Sequence, residues 1–361
     1  MQTKEQRQFR IKFSAMIVLL LIVVLAAISI GQYAVTPFDM IKSISNRLFD
    51  TAFQYDVNTD TILYRVRLPR ILLGILIGSG LSCAGATYQG LFQNPMVSPD
   101  LLGASWGAGF GAALGLLFAL PYVWISVIAF AFGLLAVYLT YFVGAHCKGS
   151  KKLGFILGGI MIGSLFSAGV SYIKLAADPM DTLPAITYWL MGSLASARPS
   201  DVYLVIVPML AGMIPIVLMR WRINLLSLGD AEARSMGIQV KKTRLIFICC
   251  ATLITSAAVS VSGMIGWVGL VIPHLSRMLV GSDNRHVIPM SLVMGAIYLL
   301  LVDTVARTIA TIEIPLGILT AVFALSDCDI QQSGVWTEVG GIVVGSLYER
   351  GSIWLYGPKN S

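Results

Sequence analysis

Long apolar runs broken by short polar loops make up this chain. The runs lie near residues 13–34, 68–90, 101–120, 122–143, 153–177, 201–219, 243–263, 264–280 and 287–309, and a last one begins at Pro315. A helix needs roughly 20 apolar residues to cross a bilayer. The pattern therefore predicts an all-α integral membrane protein with about ten transmembrane helices. Small residues recur inside the runs: Gly74, Gly78 and Ser82 stand at i, i+4 and i+8, and Gly107 and Gly111 repeat the spacing. Small residues let helix backbones approach closely in lipid, where dispersion replaces the hydrophobic effect. A tightly packed bundle follows.

Four stretches interrupt the pattern. Residues 35–67 form a long polar segment before the second run. Within 178–200, "AITYWLMGSLA" predicts a brief helix near the interface, anchored by Tyr188 and Trp189. Within 220–242, "LGDAEARSMG" predicts a short amphipathic helix closed by Gly237 as a C-cap glycine. It is either a contact for another protein or a solvated loop. Residues 91–103, "LFQNPMVSPDLLG", set two prolines, Asn94 and Asp100 between two apolar runs. Two prolines stop a helix from running through. Non-helical backbone at membrane depth survives only where it is buried in protein or lines a cavity.

Composition narrows the class. The chain is 57% hydrophobic and 12% charged, against about 25% charged in a soluble domain. That leaves too little polar surface to coat a globule, so residues 1–361 read as a single transmembrane domain. Any ATPase or receptor must be a separate chain. The first 30 residues start basic and turn apolar, as a signal peptide does. The run is too long for a signal core and lacks an A-x-A-like site, which predicts an uncleaved first helix with its basic end in the cytoplasm. With that orientation, seventeen lysines and arginines fall on inside segments. Eight fall outside: Lys42, Arg47, Arg65, Arg67, Arg70, Lys174, Arg198 and Arg307. The bias follows the positive-inside rule. The net charge of +7 then fits loops facing anionic lipid, and no nucleic acid is needed.

The chemistry-bearing residues are sparse. Five cysteines (Cys83, Cys147, Cys249, Cys250 and Cys328) show no metal-ligand spacing and read as small buried hydrophobes. The three histidines are scattered, and no Walker A, H-E-x-x-H or G-x-S-x-G pattern occurs. No catalytic residue, metal or cofactor is expected. Asp303 and Glu313 lie in or near spans, where a carboxylate is a functional candidate by default. Asp303 also stands four residues before Arg307, which predicts a helical i, i+4 ion pair.

Several blocks together resemble the FecCD family, the permease subunits of ABC importers for iron–siderophore complexes, haem, vitamin B12 and related metal chelates. They are "RLPRILLGILIGSGLSCAGATYQGLFQNPMVSPDLLGASWGAGFG", "YWLMGSL", "LSLGDAEARSMGI", "GMIGWVGLVIPHLSRMLVGSDNRHVIP" and "LVDTVARTIATIEIPLGILTAV", in order over about residues 60–323. The resemblance implies a vitamin B12 permease-like bundle of ten helices that pairs as a homodimer. Two ATP-binding cassette subunits attach beneath it and hydrolyse the ATP. An extracytoplasmic binding protein docks above. The residues that match the family's motifs take roles accordingly. Asn94, Pro95, Met96, Val97, Ser98 and Pro99 would narrow the cytoplasmic mouth of the pathway, with Met96 where the family usually has Leu. Arg67, Arg70 and Arg307 would meet acidic residues of the binding protein; taken alone, each could equally be an interfacial arginine reaching the headgroups. Leu228, Gly229, Asp230, Glu232, Ala233, Arg234 and Gly237 would seat on the ATPase. Ser164, Ser167, Ser171 and Tyr172 would line the pathway.

The chain departs from the family after "IPLGILTAV". Asp327, Asp329, Gln331 and Gln332 fall where apolar residues belong, and each charge at a helix centre costs about 2.5–3.5 kcal/mol. A reading-frame slip near residue 324 is the expectation for the tail 324–361. The cargo stays open among iron–siderophore, haem and cobalamin, with an oxyanion such as molybdate as the alternative. An ion-coupled secondary transporter would show midplane carboxylates and related halves, and an intramembrane enzyme would cluster His, Asp or Glu. Neither pattern is clear.

Overall fold

Close contact between small-residue faces sets how the helices pack. A computed structural model describes residues 4–31, 37–49, 56, 58–147, 151–309 and 313–330. Its α-helices are α1 (Lys4–Ser29), α2 (Pro37–Phe49), α3 (Asn58–Asp60), α4 (Leu68–Phe92), α5 (Ala104–Leu117), α6 (Tyr122–His146), α7 (Lys151–Ala176), α8 (Thr182–Leu190), α9 (Pro199–Leu226), α10 (Asp230–Ser235), α11 (Val240–Ser262), α12 (Val268–Val280), α13 (Asn284–Ala306) and α14 (Leu316–Ile330). Residues Met1–Thr320 group into one compact unit. The side chains of Asp327, Cys328 and Asp329, and all of residues 331–361, lie outside the described residues.

Each of the ten apolar runs contains a helix. Among the described residues, seven helices are long and apolar enough to cross a membrane. The runs at 101–120 and 264–280 are shorter than full spans, because α5 holds 14 residues and α12 holds 13. Left-handed backbone at Gly103 (φ 81°), Gly263 (φ 67°) and Trp267 (φ 69°) breaks each run before its helix starts. The segment before α4 is helical too: α3 leads into a π-helical turn, Thr61–Arg67, that runs straight into α4. Pro69 has no N–H to give the Arg65 carbonyl. The preceding Leu68 N–H reaches back five residues, to the Leu63 carbonyl, which is a π-type step.

Helix α4 is the axis of the unit, with 78% of its spanning window buried. It packs on α13, α9, α11 and α12. A Cβ at Gly78 would stand 2.8 Å from the Gly295 carbonyl carbon, and one at Gly85 would stand 2.6 Å from that of Gly269. Those positions admit only glycine without displacement of the partner backbone. Phe110, Phe132 and Phe166, with ring centroids 5.3–6.3 Å apart, tie α5, α6 and α7. Helix α1 packs against α4 and α13 through Val23, Ala27, Ile71, Ile297 and Leu300. Of the described cysteines, Cys83 is buried, Cys250 is half-buried, and Cys147 and Cys249 are exposed. The buried reading therefore holds for Cys83 and is corrected for the other three.

The polar segments sort to two ends of this unit. At one end Lys12 Nζ donates to the Leu279 carbonyl (2.6 Å), Phe9 stacks on His286 (4.2 Å), and Arg244 pairs with Asp230 (2.8 Å). At the other, Arg198 lies over the Tyr122 ring (5.1 Å), Ser193 N–H donates to the Ser262 carbonyl (2.8 Å), and Leu316 N–H donates to the Gly192 carbonyl (2.8 Å). The first end collects residues from 1–12, 220–244 and 277–286, three of the segments assigned to the inside by charge, and the second collects residues from 178–200, assigned to the outside.

Candidate functional site

The loop at Asn94–Pro99 is built by its own side chains. Helix α4 stops at Gln93, whose φ of 56° and ψ of 37° are left-handed. The Asn94 N–H returns to the Gln89 carbonyl (3.2 Å). Asn94 Oδ1 accepts the Met96 N–H (2.9 Å), and the Asn94 carbonyl accepts the Val97 N–H (3.3 Å). Asparagine closes such a turn because its short amide reaches the backbone two residues on. Pro99 opens a 3-10 turn, Pro99–Leu102, and a Cβ at Gly269 would meet its ring at 2.5 Å. Val97 and Pro99 are buried while Met96 is 53% exposed. The loop is thus anchored by one face and presents Met96 on the other.

Beside it runs an open groove of about 560 Å³. Ser164, Ser167 and Ser171, on one face of α7, line it with Asp100, Leu101 and Trp106. Asp100 joins the loop to this wall and accepts a hydrogen bond from Ser105. Burial pushes the Asp100 carboxyl above the usual carboxylate range, and the Ser105 hydroxyl works against that shift. Tyr172, 73% exposed, is not among the groove's lining residues. The structure therefore brings together three of the four residues expected to line a pathway.

A polar network behind the loop went unnoticed in the sequence. Gln89, buried on α4, donates to the Leu270 carbonyl (3.1 Å) and accepts from Arg277 (2.5 Å). Asn224 near the end of α9 donates to Asp283 (2.5 Å) and accepts from Asn284 (2.8 and 2.9 Å). Gln93 Nε2 donates to the Ser227 carbonyl and lies 3.5 Å from that of Leu226. Glutamines and asparagines at helix ends, facing runs of unsatisfied carbonyls, were the available signal.

The segment expected to seat on an ATPase surrounds α10. Leu228, Glu232, Arg234, Met236 and Gly237 are exposed. Gly229 (φ 128°) and Gly237 (φ 82°) bracket the helix in backbone that favours glycine. Ala233 is fully buried against its own chain, and Asp230 is paired with Arg244. Those two residues hold α10 in place, so the outward surface is narrower than the seven residues expected.

The three arginines lie at the opposite end but are not presented outward. Arg67, Arg70 and Arg307 are 4%, 6% and 5% exposed. Arg67 donates to the carbonyls of Ile28 and Ser29, and Arg307 to that of Ala27 (2.5 Å). Both therefore cap the C-terminus of α1, whose last turn carries no basic residue of its own. Arg70 Nε reaches both Asp303 oxygens (2.9 and 3.0 Å), and its two Nη atoms take Glu313 (2.8 and 2.9 Å). The expected Asp303–Arg307 ion pair is present, with Arg307 Nε 3.9 Å from Asp303 Oδ2, a separation beyond hydrogen-bond reach. The hydrogen-bonded partner of Asp303 comes from another helix.

Comparison with known proteins fits this arrangement. The model of the FecCD transport family matches residues 19–325. The molybdate import system permease protein MolB of Haemophilus influenzae is 39% identical over 84% of this chain and 90% of its own length. The Fe(3+)-citrate import system permease protein YfmE of Bacillus subtilis is 35% identical over 89% of this chain and 94% of its own. A solved inward-facing conformation of a transporter of the metal-chelate ABC type aligns with a TM-score of 0.77 at 33% identity, over 92% of this chain and 98% of that one. With a family model covering most of its length, and relatives matched nearly end to end, this multi-pass membrane chain belongs to the FecCD transport family of ABC importer permeases.

Proposed function

We propose that this chain forms one wall of the translocation pathway for a metal chelate, such as an iron–siderophore complex, haem or cobalamin. A second copy supplies the facing wall. The observation that carries this reading is the groove of Ser164, Ser167, Ser171, Asp100 and Trp106 adjoining the Asn94–Pro99 loop. Hydroxyls and an indole offer weak contacts along a route, without the tight site that would retain cargo. The loop would close the inner mouth, with Met96 as its mobile plug. An oxyanion such as molybdate is the second reading, carried by the Haemophilus relative. Against it, no cationic side chain lines the groove among the described residues, so an oxyanion would meet no countercharge there.

The partners follow from the two ends. Two ATPase subunits would seat on Leu228, Glu232, Arg234 and Met236 around α10, and they would carry out the hydrolysis. An extracytoplasmic binding protein would dock at the end that holds Arg67, Arg70 and Arg307. There Glu313, whose side chain is 25% exposed, is the carboxylate that an incoming acid would displace from Arg70. The chain would lie in the cytoplasmic membrane of a bacterium or archaeon, with its N-terminus inside. A frame slip near residue 324 would explain the tail; re-reading the nucleotide sequence in the other frames tests it, and no frame restoring an apolar ending would sink it.

The test is ATP hydrolysis by the assembled complex with and without its binding protein. Glu313→Gln frees the Arg70 fork and is expected to raise the stimulation. Arg70→Gln is expected to remove stimulation while basal hydrolysis continues. Stimulation equal to wild type in both would make these arginines structural and place docking elsewhere. If no ATPase associates with the chain, the importer reading fails.

A further inference from the structure

Gln93 holds a conformation that suits glycine better than glutamine. Its φ of 56° lies in the left-handed region, where an L side chain is disfavoured. A helix that only had to stop would place glycine there. The side chain gives a reason for glutamine. Its amide nitrogen donates to the Ser227 carbonyl, with the Leu226 carbonyl at 3.5 Å. These belong to the last turn and cap of α9, where carbonyls have no helical donor of their own. Ser227 is bound back into that turn by its own hydroxyl, which donates to the Asn224 carbonyl (2.7 Å). One residue later come exposed Leu228 and the left-handed Gly229 that opens α10.

On its other side Gln93 is bonded to Asn94, the residue that folds the loop through Met96 and Val97. One turn back, Gln89 fixes α4 to α12 through the Leu270 carbonyl and Arg277. The end of α4 is therefore held to α12 by a buried amide and to α9 by an exposed one. Of the two, the exposed link joins the loop directly to the strand of chain that enters α10.

We infer that Gln93 is a positioning residue that carries movement of α10 to the Asn94–Pro99 loop. The inference rests on the proposed roles of that loop as the inner gate and of α10 as the ATPase contact. Displacement of α10 would pull the Leu226–Ser227 carbonyls, and Gln93 would draw the start of the loop with them. The ordinary hydrogen bonds of a helix cap would not need this residue: glycine would serve the backbone as well.

The experiment uses the full assembly, permease with its ATPase subunits, in lipid nanodiscs. Other reactive cysteines are replaced, and a nitroxide is placed at Met96→Cys or, separately, at Glu232→Cys on α10. Distances between labels on the two copies are read without nucleotide and after trapping with ATP and vanadate. In the wild-type background both labels are expected to shift on trapping. In Gln93→Leu and Gln93→Gly the Glu232 label is expected to shift as before, while the shift at Met96 is lost. Gln93→Lys, which restores a donor of similar reach, is expected to recover it. Gln93→Gly relieves the left-handed strain, so its loss of shift cannot be put down to poor folding. A Met96 shift that persists in Gln93→Gly overturns the inference and leaves the gate and α10 readings standing. A Glu232 label that never moves with nucleotide overturns the ATPase-contact reading, and the inference falls with it.

Discussion

Arg70 turns its whole guanidinium toward two carboxylates, Asp303 from α13 and Glu313 just ahead of α14. Asp303 is 1% exposed, so its charge depends on this partner. Removing one member of a buried pair leaves the other uncompensated, at a cost of about 3–5 kcal/mol. Arg70→Met is expected to lose about that much, read as the unfolding midpoint of the chain in mild detergent. Arg70→Met combined with Asp303→Asn is expected to recover part of the loss, because the stranded charge is gone. Equal loss in the single and double variants would show that Arg70 acts through packing alone. The sequence offered Arg307 as the partner by helical spacing, a rule that sees one helix at a time. Arg307 does stand 3.9 Å from Asp303, but the closer, hydrogen-bonded pair spans 233 residues, and nothing local marks it. Burial of Arg67 was hidden in the same way, since the α1 carbonyls that receive it carry no side-chain signature.

At the level of elements, the small-residue spacing was a sound guide. Gly78 and Ser82 meet Gly295, and Gly85 meets Gly269, so α4 crosses α13 and α12 with backbones in contact. Neither partner glycine could be chosen from the sequence, because spacing identifies a face and not what it faces. Gly85→Leu would force α4 and α12 apart, and overpacking costs about 1–3 kcal/mol or more. Gly266, where nothing lies within 4 Å of an added Cβ, is the control: Gly266→Ala is expected to change stability by less than about 0.5 kcal/mol. Thermal unfolding of the purified variants checks both, and similar losses at the two sites would contradict the contact. Helix lengths were less legible than helix faces. Runs 101–120 and 264–280 looked like full spans because hydropathy counts residues, whereas Gly103 and Trp267 bend the backbone inside them. Conversely, polar residues 58–67 joined a helix, since Pro69 tolerates a π-type turn at α4's start.

For the molecule as a whole, the charge count assigns a side that packing alone leaves open. Three segments assigned to one side by lysine and arginine number, 1–12, 220–244 and 277–286, do gather at one end of the bundle, held by Lys12–Leu279, Asn224–Asp283 and Arg244–Asp230. A mis-threaded chain would have mixed the two sets. What the count adds, and geometry cannot, is which end faces the cytoplasm. Positive loops stay inside because translocating them is disfavoured, so the end bearing α10 is expected in the cytoplasm and the end bearing α8 outside. Met180, 84% exposed just before α8, and Met236, 55% exposed just after α10, are surface probes of the two ends. In intact cells a membrane-impermeant maleimide is expected to label Met180→Cys and to spare Met236→Cys until the membrane is opened. The background needs Cys147 and Cys249 replaced, since both are exposed. The reverse labelling pattern would invert the molecule. It would place the Asn94–Pro99 loop at the outer face and the arginines at the inner one, and the ATPase and binding-protein assignments would have to exchange ends together.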